Sequence, residues 1–200
     1  YDMIPSNLES KKKRVVFQDI EDKRGKRFSD YQDEFEYLIS AGIALDVNAI
    51  TTPVFPLTQS VGKNLLKLYL NDVGLLTDVL YGSNIRAILD DETGINLGSV
   101  YESVVAQELA AHGYKLFYYD NRSKGEVDYL IDDYDSLSAI PIEVKSGKDY
   151  TVHSALSTFI KNDDYHVKKA FVLSNTREIT TNGKITYLPI YDVMFLQNNS

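Results

Sequence analysis

The alternation of apolar and charged residues predicts two strands in the second half of the chain. Residues 125–131 read GEVDYLI and residues 141–147 read PIEVKSG, with Val, Ile, Tyr and Leu between charged positions. This period-two spacing is typical of β-strands. Residues two apart on a strand share a face, so Glu143 and Lys145 should project together. If the two strands are neighbours, Asp128 joins them at one place.

The surrounding pattern extends these strands into a larger α/β domain. A helix is predicted before them, over residues 98–112, because apolar residues recur at helical spacing and Gly113 follows. The later elements are expected in the order strand 115–119, strand 127–132, strand 139–145, helix 151–161, strand 169–174 and strand 185–190. A helix between two strands predicts a parallel crossover, and short turns predict antiparallel pairs. The expected fold class is therefore α/β, or more narrowly α+β, because the sheet should contain both parallel and antiparallel strands.

The first part of the chain predicts a helix followed by a hairpin. Ser29 and Gln32 have the spacing of a capping box, and Gly42 stands where a helix would end. Residues 43–47 and 54–57 are short apolar runs that could form the two strands of a wing. Helix plus wing predicts a winged-helix-like unit, a fold that binds DNA in some proteins and only protein in others.

These elements predict three regions along the chain. Residues 1–62 form the winged-helix-like unit. Residues 63–97 connect the two parts through a strand-like run at 64–71, a short helix at 74–81 and a polar linker. Residues 98–200 form the α/β domain that contains the charged strands.

The charged strands also predict a site. Two carboxylates and a lysine at close range are costly unless a cation or a substrate uses them. Asp128, Glu143 and the Val144 carbonyl offer the oxygen ligands that Mg²⁺ or Mn²⁺ takes, and Lys145 can orient or deprotonate a water that attacks phosphorus. The alternative is a solvated Asp128 beside a turn and a surface ion pair on an edge strand, which Pro141 favours.

Asp128 followed by Glu143-Val144-Lys145 resembles the active-site pattern of the PD-(D/E)XK nuclease superfamily, although no proline precedes Asp128. A glutamate on an upstream helix is also usual there, and Glu102 fits that position. The resemblance implies a restriction-endonuclease-like core and metal-dependent DNA endonuclease activity, with Asp128, Glu143, Lys145 and Glu102 as catalytic residues. The alternative for Glu102 is a hydrogen-bonded contact between helix and sheet.

A broader resemblance covers most of the chain. Residues 66–76 (LKLYLNDVGLL), residues 98–109 (GSVYESVVAQEL) and the two charged strands follow one another in the order found in a domain of unknown function. That domain lies C-terminal to the P-loop in bacterial and archaeal AAA-type ATPases. The resemblance implies a partner, the parent's own N-terminal ATPase domain, which alone would bind ATP. An alternative function is a non-catalytic nucleic-acid-binding or partner-docking module that regulates the ATPase.

Composition narrows the chemistry. The chain contains no cysteine, so it offers neither a disulfide framework nor a thiolate metal site. Its three histidines are scattered along the sequence, which counts against a zinc site. No G-x-x-x-x-G-K-[ST] motif occurs, so this chain should not hydrolyse ATP. It begins at Tyr1 rather than Met, which suggests a piece of a longer protein. We see no signal peptide or apolar run of membrane-spanning length, and we expect a cytoplasmic protein without a membrane partner.

The charge is distributed unevenly. The net charge of the chain is −8, which counts against a free-standing nucleic-acid binder. Eight Lys or Arg against five Asp or Glu, however, give residues 1–27 a net charge of +3. The candidate phosphate contacts are Lys11, Lys12, Lys13, Arg14, Arg122 and Lys124. The alternative is that these are solvated side chains. His153 is a candidate auxiliary base, or a residue at a helix start.

Overall fold

The structure, a computed structural model, describes residues 3–10, 13–15, 20, 28–82, 86 and 97–198. The chain forms two compact units, and each unit combines two stretches of sequence. The first unit consists of Tyr1–Val47 and Lys63–Gln107, and the second of Asn48–Gly62 and Glu108–Ser200. No helix of the described residues is both long enough and apolar enough to cross a membrane. The domain boundaries expected near residues 62 and 97 stay predictions.

The described residues of the first unit form helices and one pair of strands. Its helices are α1 (Met3–Glu9), α2 (Gln32–Ser40), α3 (Val73–Tyr81) and most of α4 (Gly98–Ala111). Its strands β1 (Ala44–Ile50) and β2 (Val61–Leu70) are hydrogen-bonded neighbours. The strand-like run and the two helices that the sequence predicts from residue 64 onward are thus confirmed as β2, α3 and α4.

The start of α2 differs from the prediction. The helix begins at Gln32, and its N-cap is Tyr31, which makes no capping side-chain hydrogen bond. A 3₁₀ turn at Phe28–Asp30 precedes it. The capping box of Ser29 and Gln32 is therefore wrong, because the turn moves the N-cap two residues along the chain, from Ser29 to Tyr31. Gln32 Nε2 donates instead to Glu36 Oε1 at 2.6 Å, one helical turn away.

The hairpin predicted from residues 43–47 and 54–57 is also not formed. Of residues 43–47, all but Ile43 belong to β1, and Gly42 just before them lies in the left-handed region at φ 69°. Residues 54–57 are not a strand, and Leu57 begins a 3₁₀ turn that ends at Ser60. Pro56 lacks the N–H that a strand ladder needs at this position. The hydrogen-bonded neighbour of β1 in the first unit is β2 instead.

The second unit is built on a mixed sheet, as predicted. Its strands are β3 (Phe117–Asn121), β4 (Gly125–Asp133), β5 (Ser138–Lys145), β6 (Ala170–Ser174), β7 (Thr180–Asn182) and β8 (Ile185–Pro189). Their order is β1-β3-β4-β5-β6-β8-β7, beginning with residues 48–50 of β1. The pairs β3–β4, β4–β5 and β7–β8 are antiparallel, and the other pairs are parallel.

The connecting helix is α5 (Ser154–Ile160), which joins β5 to the parallel strand β6 and confirms the predicted crossover. The sequence does not predict β7, because its residues Thr180–Asn182 are polar and exposed and carry no apolar alternation.

An aromatic cluster holds α5 against the sheet. The ring of Phe159 lies 4.8 Å from the ring of Tyr119 and 4.8 Å from that of Tyr165. The hydroxyls of Tyr119 and Tyr165 are 3.1 Å apart. Burial and this hydrogen bond raise the pKa of Tyr119. Burying each such ring contributes roughly 1.5–3 kcal/mol, so the cluster fixes the helix that covers this face of the sheet.

The turn between β3 and β4 comes close to α5 at one glycine. Gly125 adopts φ 93°, a conformation that other residues rarely take. A Cβ atom at this position would lie 3.0 Å from the Cβ of Ala155. The backbone of β4 therefore enters the sheet in a position that only glycine allows without strain.

Strand β4 carries an extra residue relative to β3. Tyr119 pairs with Val127, but Phe117 pairs with Leu130, so two steps along β3 correspond to three along β4. Such a β-bulge bends a strand and redirects side chains, and bulges are common beside active sites. Asp128 lies inside this irregular segment.

Strand β5 changes its pairing along its length. It pairs with β4 from Ser138 to Ile142 and with β6 from Ile142 to Lys145. Pro141 makes an edge strand the alternative for β5, but β5 lies between β4 and β6, so this alternative is wrong. Pro141 fits because it precedes the residues that pair with β6, where a missing N–H would break the ladder.

Candidate functional site

Glu143 and Lys145 lie together on one face of β5, as their spacing predicts. Glu143 Oε1 is 2.8 Å from Lys145 Nζ. Glu143 is only 7% exposed, whereas the Lys145 side chain is 29% exposed. A buried carboxylate needs a cation or a donor, and the ammonium group supplies the cation. The alternative of a surface ion pair is wrong for Glu143, because the strand on which it lies is buried.

Asp128 is joined to β5 through the backbone. Its Oδ2 accepts a hydrogen bond from the N–H of Val144 at 2.8 Å. Val144 is the residue between Glu143 and Lys145, so the bond brings the Asp128 carboxylate beside the segment that carries both. Hydrogen bonds from an N–H to a carboxylate are stronger than those between neutral groups. Asp128 is therefore more than a solvated residue at a turn.

The hydrogen bond of Asp128 occurs where two strands stop pairing. Backbone pairs between β4 and β5 end at Tyr129 and Ile142. One residue further along β5 comes Glu143, and the bulge of β4 lies opposite. The Asp128 side chain thus takes the place of a backbone carbonyl as the acceptor for Val144.

These groups form an oxygen donor set that suits a hard divalent cation. Asp128 and Glu143 provide two carboxylates, and the Val144 carbonyl adds a third oxygen from the same segment. Mg²⁺ is commonly held by one or two carboxylates with waters and substrate phosphates completing its shell. Within the described part of the chain, no three His, Cys, Asp or Glu residues are grouped as a ready-made metal cage. Metal binding by Asp128, Glu143 and the Val144 carbonyl stays a prediction.

Residues 97–193 match the family model "Domain of unknown function (DUF4143)". The DUF4143 match begins just before α4 and ends in the 3₁₀ segment Ile190–Phe195. It therefore includes Glu102, Asp128, Glu143 and Lys145. No curated protein and no solved structure matches the chain.

Glu102 lies in the first unit, in the part of the DUF4143 match that falls there. Its carboxylate is buried and has partners for both oxygens. Glu102 is 3% exposed. One carboxylate oxygen pairs with the ammonium group of Lys13, and the other accepts from the Tyr69 hydroxyl at 2.9 Å. These contacts correspond to the alternative of a hydrogen-bonded contact between helix and strand. The metal-supporting role that the resemblance implies stays a prediction.

The basic residues differ in their surroundings. Lys11 and Lys12 lie outside the described residues, and Lys13 is engaged by Glu102. Arg14 is half-buried. Arg122 and Lys124 are exposed on the β3–β4 turn, as expected for a solvated turn, and Lys124 Nζ lies 5.4 Å from the centre of the Tyr165 ring. Their contacts with phosphate stay predictions.

His153 takes part in a buried hydrogen-bond network that the sequence does not reveal. The residue precedes α5, but its side chain caps no backbone N–H. Its Nε2 lies 2.8 Å from the Tyr187 hydroxyl and its Nδ1 lies 3.1 Å from the Ser157 hydroxyl. The partners come from β8 and from the same helix one turn away. Only the spacing of His153 and Ser157 is visible in the sequence.

Proposed function

We propose that the second unit carries a restriction-endonuclease-like core and that its site is a Mg²⁺- or Mn²⁺-dependent DNA phosphodiesterase. The observation that supports this most strongly is the bond from Val144 to Asp128, which brings a carboxylate to the strand that carries Glu143 and Lys145. A mixed sheet with a helix between β5 and β6 is consistent with such a core.

Each residue of the site has a distinct proposed task. Asp128, Glu143 and the Val144 carbonyl hold the ion. When bound, a divalent ion polarises a phosphoryl oxygen and neutralises charge. Lys145 orients the attacking water and donates a hydrogen bond to the charge that develops on phosphate. Its ion pair with Glu143 keeps the ammonium group in position before a substrate arrives.

We further propose that the chain is the C-terminal region of an AAA-type ATPase of the cytoplasm. The match to a domain of unknown function is compatible with this parent, and the order of the motifs in the sequence is the reason for naming it. The ATPase domain would then be the partner, with ATP bound there. The winged-helix-like unit over residues 1–62 belongs to the same proposal, with α1, α2 and β1 among its described elements but without the strand predicted at 54–57.

The test combines metal binding with DNA cleavage. Calorimetry with Mn²⁺ should show binding that Asp128→Ala weakens and that Lys145→Ala leaves unchanged or tightens, because a positive neighbour is removed. Labelled single-stranded, double-stranded and branched DNA should be cut by the wild type. Cleavage should fall by about 10²–10⁴-fold in Lys145→Ala, the usual contribution of a positioned proton-transfer group. Lys148→Ala, an exposed lysine just after β5, is the matched control.

A second function is a non-catalytic module that docks onto the ATPase or a nucleic acid, and the charge of the chain favours this module over an enzyme that acts on DNA. The chain has a net charge of −8, and Lys13 is occupied by Glu102. If Mn²⁺ binds and no form of DNA is cut, the phosphodiesterase proposal is rejected and the docking module is retained. If Mn²⁺ does not bind either, Asp128, Glu143 and Lys145 form an ion-pair cluster without a metal.

A further inference from the structure

A second concave site lies on the second unit, away from the residues named so far in the proposed function. It is a cavity of about 500 Å³ between the start of α5, the end of α5 and the β7–β8 hairpin. Its lining includes Tyr150, His153, Ser157, Lys161, Lys184 and Tyr187. Sites for small molecules usually enclose about 300–1,000 Å³, so the cavity has the size of a ligand site.

The charge of this cavity is opposite to that of the protein. Its lining contains two lysines and no aspartate or glutamate, although the whole chain has a net charge of −8. Lys161 follows α5, and Lys184 lies in the turn between β7 and β8. Neither ammonium group forms an ion pair with the described residues. Two cations that converge from separate elements favour a ligand with negative charge.

The other side of the cavity offers aromatic surface on a rigid support. The Tyr150 and Tyr187 rings meet edge to face with centroids 5.9 Å apart. Tyr187 is buried and its hydroxyl is held by His153, which in turn is held by Ser157. Tyr150 is half-buried, so part of its ring is available for contact. Nucleic-acid bases stack on aromatic side chains of this kind, and every base can do so because each has a flat π face.

We propose that this cavity binds a nucleotide, with the phosphate at Lys161 and Lys184 and the base against Tyr150. The exposed polar groups of Thr151, Thr180 and Asn182 in the lining are suited to the sugar and the base edge. The ligand can be a free mononucleotide or the terminal nucleotide of a strand, because both present the same phosphate and ring. The proposal stands independently of any cleavage at Glu143.

The sheet register relates this cavity to Glu143. Glu143 pairs with Val172, and Val172 pairs with Tyr187, so the three residues form one row across β5, β6 and β8 on the same face. Adjacent strands are about 4.8 Å apart, which separates the backbone of Glu143 from that of Tyr187 by roughly 10 Å. A strand end bound in the cavity would thus lie on the face of the sheet that carries Glu143.

The test is calorimetry of dAMP with the whole 200-residue chain in low salt. Divalent ions are left out, so that the result does not depend on the proposed metal site. We expect dAMP to bind, deoxyadenosine not to bind, and orthophosphate to bind more weakly than dAMP. The double variant K161Q/K184Q should lose at least about tenfold in affinity, because two charge-assisted contacts are removed. Tyr150→Ala should weaken dAMP by about tenfold and leave orthophosphate unchanged.

The matched control is K148Q/K168Q, which removes two exposed lysines outside the cavity lining. Retained dAMP affinity in this control supports the site, and an equal loss overturns it as general electrostatic attraction. No heat with millimolar dAMP, or equal affinity for dAMP and orthophosphate, also overturns the proposal. A 5′-phosphorylated dinucleotide that binds more tightly than dAMP assigns the cavity to a strand end, and equal affinity assigns it to a free nucleotide.

Discussion

The Asp128 carboxylate accepts the N–H of Val144 at 2.8 Å, at the point where backbone pairing between β4 and β5 ends. One side chain therefore has two tasks, because it completes the hydrogen bonding of a buried strand and belongs to the proposed metal site. The two tasks can be separated by substitution.

We predict that Asp128→Ala and Asp128→Asn affect stability differently but metal binding alike. Alanine leaves the Val144 N–H without this acceptor and should lower the free energy of unfolding by about 1–3 kcal/mol. Asparagine keeps an oxygen acceptor and should cost less. Both variants lose a carboxylate and should weaken Mn²⁺ binding. Urea unfolding and Mn²⁺ calorimetry measure the two effects, and equal destabilisation by both substitutions would contradict the acceptor role.

The Glu102–Lys13 pair gives a prediction for the first unit. Lys13→Met removes the cation from a carboxylate that is 3% exposed and should cost about 2–4 kcal/mol of unfolding free energy. Glu102→Gln still accepts from Tyr69 and should cost less. The double variant should cost less than the sum of the two, because the residues are in contact.

Urea unfolding of the three variants, with Arg14→Met as the control, measures this coupling. Additive losses would contradict a direct pair. Full stability in Glu102→Gln together with lost DNA cleavage would instead assign Glu102 to the catalytic site.

Asp133 should stabilise the second unit only while it is ionised. Burial raises its pKa, but hydrogen bonds from Ser136 and Lys169 and the Lys169 charge outweigh burial and lower the pKa below its usual 3.8. Lys169 Nζ lies 3.1 Å from Asp133 Oδ2. A lowered folded-state pKa means that this stability is present above pH 3.8 and is lost as pH falls through the folded value. Asp133→Asn should therefore cost about 1–2 kcal/mol at pH 7 and much less near pH 2.

Its neighbour Asp132 should behave in the opposite way. Burial raises the pKa of Asp132, although the Leu57 N–H and the Lys115 charge partly offset it. A raised folded-state pKa means that the contribution of Asp132 is most favourable below pH 3.8 and falls as pH rises through the folded value. Asp132→Asn keeps an acceptor for Leu57 and should leave stability at pH 7 unchanged or higher. Urea unfolding at pH 7 and pH 3 tests both substitutions, and a loss in Asp132→Asn as large as that in Asp133→Asn would refute the contrast.

Gly125 and Gly183 form a matched pair for a test of packing. Both have positive φ, at 93° and 61°, but only Gly125 has a neighbour, Ala155, where a Cβ would lie. Gly183→Ala should cost about 1 kcal/mol for backbone strain alone, and Gly125→Ala should cost about 1–3 kcal/mol more because α5 must move. Thermal unfolding measures both, and equal losses would show that the contact with Ala155 carries no penalty.

The second unit was largely predictable because apolar and polar residues alternate along most of its strands. The order of β3, β4, β5, α5, β6 and β8 follows from local patterns, and so does the common face of Glu143 and Lys145. The position of β5 inside the sheet did not follow, since Pro141 favours an edge and the sequence does not show which residues pair with β6. Strand β7 was missed for lack of apolar residues.

The details of the site depend on long-range contacts that no local pattern encodes. The sequence places Asp128 near β5 but does not show that its partner is a backbone N–H. It indicates that Glu102 needs a donor, but Lys13 and Tyr69 are far from it along the chain. The bulge in β4 is invisible as well, because an extra residue in a strand leaves the composition unchanged. Pairwise geometry therefore had to come from the structure.

Because β5 changes its pairing partner along its length, the Asp128–Val144 bond can open separately from the backbone ladders. Its first half is held by β4 and its second half by β6, with Ile142 belonging to both. Near Val144, a side-chain hydrogen bond to Asp128 joins β5 to β4, and this bond can open while both backbone ladders stay paired. Amide hydrogen exchange should therefore be faster at Val144 than at Ile142. The fold thus allows local opening beside the carboxylates of Asp128 and Glu143 while the paired core of the sheet stays closed.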